Sequence, residues 1–264
     1  VDELPCTDPA LRAQVKNFLG RIAYDNDEYD IAIAAYHDAL ELQVGTDSIR
    51  TAVTYNNLAR VYERLKDYDK AFEALERSVA IYASLGDHPR LAGSLLNLGV
   101  IHYDRKRYAE AEDNYLQSLT YAREAGMTDV ECIALESLGN VQRETGRYAE
   151  ALGNYTASMA IAERSGSLEG MASISRNIGE LYLDQGDAAH ALPYLHRTLA
   201  LADSMGSRNY AQDGHQYLAK AYTALKRYPE ALASWEAYMT VKDSILSDEK
   251  NKASKANVPE DAFY

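Results

Sequence analysis

The chain of 264 residues carries only three Phe, one Trp, two Cys and six Pro, and basic side chains are in deficit. Each scarcity excludes something. Lys and Arg number 27 against 40 Asp and Glu, a formal charge of −13 with no compensating basic stretch, which argues against nucleic-acid binding. No apolar run approaches the roughly 18 residues that a membrane-spanning helix requires, so no membrane insertion is expected, and no charged-then-apolar leader opens the chain. Cys6 and Cys132 lie far apart and form no metal or redox motif, so a reducing, cytoplasmic setting is the simplest expectation. The start at Val1 rather than Met reads as a processed chain or an excised domain. The six histidines show neither i, i+4 pairing nor zinc spacing, and the glycines stand singly rather than in a phosphate-binding loop. The expectation is therefore a non-enzyme without metal or cofactor.

Tyr is abundant, at 21 residues, and its placement is periodic. A small residue recurs at Gly20, Ala59, Gly99, Gly139, Gly179 and Ala219, spaced by 39 once and by 40 four times. An apolar residue precedes each marker: Leu19, Leu58, Leu98, Leu138, Ile178 and Leu218. Nine residues on stand Tyr29, Tyr68, Tyr108, Tyr148 and Tyr228, with Ala188 the exception. Twelve on is always alanine, from Ala32 to Ala231, and sixteen on is a bulky residue: Tyr36, Leu75, Tyr115, Tyr155, Leu195 or Trp235. Within a unit the apolar residues repeat at helical spacing twice, as in Leu91-Leu95-Leu98-His102 and Tyr108-Ala111-Tyr115-Leu119, around a turn at Arg105-Lys106-Arg107. Gly99 and Ala111 are expected to face one another across the helix pair. Gly45, Gly86, Gly126, Gly166 and Gly206 mark second-helix ends, and Asp87-His88-Pro89, Ser167, Ser207 and a capping box from Thr128 to Glu131 mark the following starts.

The run Leu95-x-x-Leu98-Gly99-x-x-His102, followed by Ala111-x-x-x-Tyr115, resembles the tetratricopeptide repeat over residues 8–246. That family's usual unit is about 34 residues with a terminal Pro; here the unit is 40, the Pro is absent and both helices are longer. Long units of this kind resemble those of kinesin light chains, Pins-type polarity scaffolds and bacterial signalling proteins. The resemblance implies an all-α fold, a right-handed α-solenoid of six antiparallel helix pairs. The expected units are 8–45, 46–86, 87–126, 127–166, 167–206 and 207–246, with the last helix extended to about residue 253 and a flexible tail over 254–264.

In that family the first helices line a concave groove. On a helical wheel one face and its flanks then carry Asn17, Arg21 and Tyr24 in the first unit, with Gln14 and Phe18 beside them, and Asn56, Asn57, Arg60 and Arg64 in the second. The third supplies Leu96, Asn97, Val100 and Tyr103, the fourth Asn140 and Arg143, the fifth Arg176 and Asn177, and the sixth Lys220. Basic and acidic residues nearly balance on this face, so the acidic excess falls on the outside. Asn57, Asn97, Ser137 and Asn177 form a partial ladder with two readings: a grip on the backbone of an extended peptide, or bonds between neighbouring helices. The subclass that holds a chaperone's terminal carboxylate is disfavoured, because Gly93 and Asn97, or Asp213 and Tyr217, stand where two basic residues are needed.

The function implied is a scaffold binding a protein, peptide or helical segment in the groove. Two alternatives stay open: a peptide- or ligand-sensing region of a bacterial regulator coupled to an output domain, and a regulator that blocks a partner enzyme. The tail from Pro259 to Tyr264, acidic then aromatic, reads either as a linker or as a segment entering a neighbour's groove, with Arg60, Arg64 and Arg176 facing Glu260 and Asp261; the second reading gives weak self-association.

Overall fold

Six turns repeat one backbone device. Seven residues after each small-residue marker the chain enters the left-handed region, at Asp27, Lys66, Lys106, Gly146, Gly186 and Lys226. The next amide donates back over the turn: Glu28 N to Ala23 O, Asp67 N to Tyr62 O, Arg107 N to His102 O, Arg147 N to Gln142 O, Asp187 N to Tyr182 O and Arg227 N to Tyr222 O, all at 2.7–2.8 Å. This is the Schellman closure of a helix end. It sets the reversal between the two helices of a pair, and four of the six left-handed residues are not glycine.

The computed structural model describes residues 8–45 and 48–256. Cys6 and the tail residues Glu260, Asp261, Phe263 and Tyr264 lie outside them. Among the described residues there are twelve helices and no strand: α1 (Pro9–Asp25), α2 (Tyr29–Glu41), α3 (Ile49–Arg64), α4 (Tyr68–Leu85), α5 (His88–Asp104), α6 (Tyr108–Glu124), α7 (Thr128–Glu144), α8 (Tyr148–Ser165), α9 (Leu168–Asp184), α10 (Ala188–Met205), α11 (Arg208–Ala224) and α12 (Tyr228–Ala256). The fold is an all-α solenoid of helix pairs. It divides into two compact units, one ending at Val141 and the other beginning at Gln142.

In the first unit α1 packs on α2, α3 on α4 and α5 on α6, and α2 and α4 each pack on the first helix of the next pair. Its core joins Tyr36, Leu58, Ala59, Tyr62, Leu75, Leu98 and Ile101, with a second cluster of Ala52, Ile81, Tyr82, Leu91 and Leu95. In the second unit α9 pairs with α10 and α11 with α12, around Ala188, Ala191, Leu195, Leu218, Ala221 and Tyr222.

The packing refines one expectation. A Cβ on Gly20 would stand 2.7 Å from the Tyr36 ring and one on Gly179 2.5 Å from Leu195, while one on Gly99 would overlap Tyr115. The marker's nearest neighbour is therefore the bulky residue sixteen positions on, which reaches back over the glycine, and at Gly179 the Ala191 carbonyl oxygen, twelve positions on, lies within 3.7 Å as well. The alanines serve the same approach by being fully buried at Ala32, Ala71, Ala111, Ala151 and Ala191. The capping box is also shifted. Helix α7 begins at Thr128, and Glu131 donates its amide to the Met127 carbonyl while its carboxylate pairs with Arg123 at 2.8 Å, so Thr128 lies inside the helix.

Six starts are capped by side chains: Asp8, Ser48, Asp67, Asp87, Ser167 and Asp187 each accept from an amide two or three residues on, while Glu28, Arg107 and Arg147 precede α2, α6 and α8 without such a bond. Ser207 begins α11 without such a bond. His102 is buried edge-on against Phe72 at 5.4 Å.

Candidate peptide-binding groove

In the first unit the expected face is assembled from α1, α3 and α5. Asparagines tie these helices together: Asn57 Nδ2 donates to Asn17 Oδ1 at 3.0 Å, and Asn97 Nδ2 donates to Asn56 Oδ1 at 3.1 Å. The far ends are satisfied too, since Asn17 donates to Thr54 Oγ1 and Asn56 donates to Ser94 Oγ at 3.1 Å. Each rung pairs the residue three before one marker with the residue two before the next. Of the two readings of the ladder, the one in which asparagines bond neighbouring helices is therefore what Asn17, Asn56, Asn57 and Asn97 do, and their half-buried amides keep only spare capacity for a ligand.

Between α1 and α3 lies a cavity of about 280 Å³ lined by Gln14, Asn17, Phe18, Arg21, Gln43, Ile49, Arg50, Val53 and Asn57. Its walls are apolar at Phe18, Ile49 and Val53 and amide or guanidinium elsewhere. The Arg21 guanidinium stands 5.0 Å over the Phe18 ring, and that of Arg60 stands 4.9 Å over Tyr24. Among the described residues neither has a carboxylate within 4 Å. Arg50 is held by the Gln14 carbonyl at 2.8 Å, with the Gln14 amide turned to satisfy both partners. Arg64 bonds the Tyr29 hydroxyl, which itself donates to Asp27 at 2.7 Å. Beside them, burial and the nearby Asp104 push the Glu63 carboxyl above its ordinary value. Arg21 rests on an aromatic face at the edge of an apolar hollow, and Arg60, on Tyr24, also acts on the Glu63 carboxyl; cationic groups so placed suit an anionic ligand that also carries apolar surface.

Val100 and Tyr103 are half-buried on α5, and Asn140 is half-buried on α7. Leu96, at the same wheel position, retains only 8% exposure and belongs to the core rather than to the groove floor. The wheel places it outward, but α5 is the most enclosed helix of the unit, buried at nine positions.

The second unit treats its arginines differently. Arg143 contacts Glu144 at 2.8 Å, Glu180 at 3.1 Å and Asp184 at 2.6 Å. Burial alone would lower the Arg143 pKa, and Glu180 and Asp184 more than offset it, holding the guanidinium firmly charged. Arg176 pairs with Asp213 at 2.9 Å and donates to Asn177 Oδ1 at 3.0 Å. Asn177 is 3% exposed, so it is a structural link and not a groove surface. Lys220 stands 4.7 Å over the Tyr217 ring, whose hydroxyl is driven up by burial and by Glu180. Arg50, Ile49 and Gln43 were not anticipated. Ile49 lies ten residues before its marker, one turn beyond the window of the wheel and on the same face, so extending the wheel would have found it; Arg50, nine before, falls beyond that face's flank.

Among the described residues no group of three His, Cys, Asp or Glu side chains is placed to hold a metal, and no helix is long and apolar enough to cross a membrane.

A tetratricopeptide-repeat family model matches residues 11–84, 63–124 and 129–204. The chain belongs to the tetratricopeptide repeat family. No curated protein matches it. Among solved structures, aspartyl phosphate phosphatase F from Bacillus subtilis is 17% identical with a TM-score of 0.69, over 89% of this chain and 71% of that one. The Rap conjugation gene regulator of the plasmid pLS20, in complex with the Phr* peptide, is 15% identical with a TM-score of 0.64, over 98% and 80%. Kinesin light chain nearly identical TPR-like repeats from Podosopora anserina are 18% identical with a TM-score of 0.64, over 76% and 99%. At such identities the likeness is one of fold.

Proposed function

We propose that this protein is a non-enzymatic interaction scaffold that grips an extended, acid-bearing peptide along the first unit's helices α1, α3 and α5. The observation that carries the reading is Arg21, stacked on Phe18 at the edge of the 280 Å³ cavity, together with Arg60 stacked on Tyr24, neither with a carboxylate within 4 Å among the described residues. A peptide carboxylate would meet guanidinium groups already oriented by Phe18 and Tyr24, and an adjacent apolar side chain would fill the hollow between Ile49 and Val53. Arg64, Val100, Tyr103 and Asn140 would extend the contact within the first unit, while in the second unit Arg143 and Arg176 are already paired with carboxylates.

A peptide-sensing role within a larger regulator is the second reading. It is favoured by one observation: a fold relative over nearly the whole chain is a gene regulator solved with a peptide bound.

The test is fluorescence anisotropy with labelled peptide pools that differ only in Glu/Asp against Lys/Arg content, each with and without an aromatic residue. Binding of the acidic aromatic pool, lost on replacing Arg21 and Arg60 by Glu with helicity retained, supports the proposal. Equal binding of the basic pool, or binding indifferent to both arginines, removes it.

A further inference from the structure

Helix α3 has a second hollow on the side turned away from the groove. Asn57, Arg60 and Arg64 point to the groove, whereas Tyr55, Leu58 and Tyr62 stand on the opposite side of the same helix. There α2 and α4 each pack on α3 and leave between them a space of about 800 Å³, whose apolar lining is Leu40, Val44, Tyr55, Leu58 and Ala74. Beyond Tyr55 it runs on into a hollow of about 390 Å³ that reaches Ile81 and Ser84. From Lys70 to Ser84 this furrow follows four turns of α4, about 20 Å. It is open because one bank is short: α2 has 13 residues, where the matching helices α4, α8 and α10 have 18. Val44, just past the end of α2, is 80% exposed.

The banks are acidic. Glu41 on α2 and Glu73 and Glu76 on α4 are exposed, and among the described residues no basic group stands within 4 Å of their carboxylates. Lys70 is held by Asp67 at 2.8 Å, with Glu73 a lesser neighbour, and His37 bonds the Tyr62 hydroxyl at 3.2 Å. Of the cations lining the furrow, that leaves Arg77 to oppose three carboxylates.

We propose that this furrow seats a basic amphipathic helix of a partner protein, at a site separate from the acid-peptide groove. An apolar stripe at i, i+3, i+4 and i+7 lies on Leu40, Val44 and Tyr55 and fills the space that the short α2 leaves. Lysine or arginine on the two flanks of the stripe meets Glu41 on one bank and Glu73 and Glu76 on the other. The charge on both banks selects the partner's sign: an acidic helix brings like charges together, and a neutral one crowds three carboxylates against apolar surface without a counter-charge. The two faces of α3 thus take ligands of opposite charge.

Fluorescence anisotropy of the whole chain with a labelled synthetic leucine–lysine helix of about 18 residues tests this, against a scrambled peptide of the same composition and a leucine–glutamate helix. The expected result is saturable one-to-one binding of the leucine–lysine helix alone. Glu73→Lys with Glu76→Lys is expected to weaken it about tenfold, and Val44→Ser, which alters no charge, to weaken it as well. Glu236→Lys with Asp243→Lys makes the same change of charge on α12 and is expected to leave binding unchanged, as is Arg21→Gln with Arg60→Gln in the groove. Circular dichroism checks that each variant keeps its helicity. Equal binding of the scrambled or the acidic peptide, equal loss from the α4 and α12 charge changes, or wild-type affinity in Val44→Ser would each overturn the proposal.

Discussion

The ring of Tyr115 lies against Gly99 so closely that a single methyl group on residue 99 would overlap it. One repeat earlier Ala59 and Leu75 hold the same two positions in one core cluster, a larger marker matched by a smaller partner. The pair of positions behaves as one volume shared between two helices.

Gly99→Ala is therefore expected to destabilise the first unit by about 1–3 kcal/mol through overpacking, and Gly99→Ala with Tyr115→Leu to recover most of that loss. Guanidinium unfolding followed by circular dichroism measures both. A double variant no better than the single one would show that the volume is not shared.

Lys66, Lys106 and Lys226 each sit at a φ of 58–59°, where a side chain is strained by roughly 1–2 kcal/mol. Glycine relieves the strain and loses about 0.5–1 kcal/mol to chain entropy. Lys106→Gly is expected to raise the melting temperature by about 1–3 °C, while Gly126→Ala, at φ 67°, lowers it. A fall in the Lys106→Gly melting temperature would mean that Lys106 contributes more through its side chain than its turn costs.

Asn57→Ala removes the bond to Asn17 and Asn97→Ala the bond to Asn56, each costing about 0.5–1.5 kcal/mol of stability. Peptide affinity is expected to change far less than on loss of Arg21 and Arg60. Parallel melting and anisotropy measurements separate the two effects; an Asn57→Ala variant that melts normally but no longer binds peptide would return the ladder to the ligand.

Burial lowers the His102 pKa below the ordinary imidazole value, opposed by Glu110 and reinforced by Arg107 and Arg105, and its Nδ1 has no partner. The unfolded chain then takes up the proton first as pH falls, so stability decreases through the range where ordinary histidines titrate and is flat above it. His102→Phe keeps the aromatic contact with Phe72 and is expected to flatten that decline and to be neutral or stabilising at pH 8. Part of the decline persists through His215, lowered by the same cause. Unfolding free energies between pH 5 and 8 give the comparison. An unchanged slope in His102→Phe would place the titration elsewhere.

Much of this protein was legible in one dimension. The 40-residue recurrence of Gly or Ala with a bulky partner sixteen residues on is a local packing rule written six times, so helix pairs, their ends and the Tyr surplus follow from period and steric size. The six Schellman turns were less visible, because three of their left-handed positions hold Lys and one holds Asp, residues that signal no such conformation.

The groove was legible as a face and illegible as a surface. Arg21, Arg60, Arg143 and Arg176 look alike on a helical wheel. The stacked helices bring Asp184 to Arg143 and Asp213 to Arg176, across 41 and 37 residues of chain, and among the described residues bring no carboxylate within 4 Å of Arg21 or Arg60. In the same way Leu96 and Asn177 are outward by period and enclosed by their neighbours. Periodicity within a helix determines which side chains share a face. Which of them stay free and charged depends on distances between helices, and those exist only once the repeats have packed.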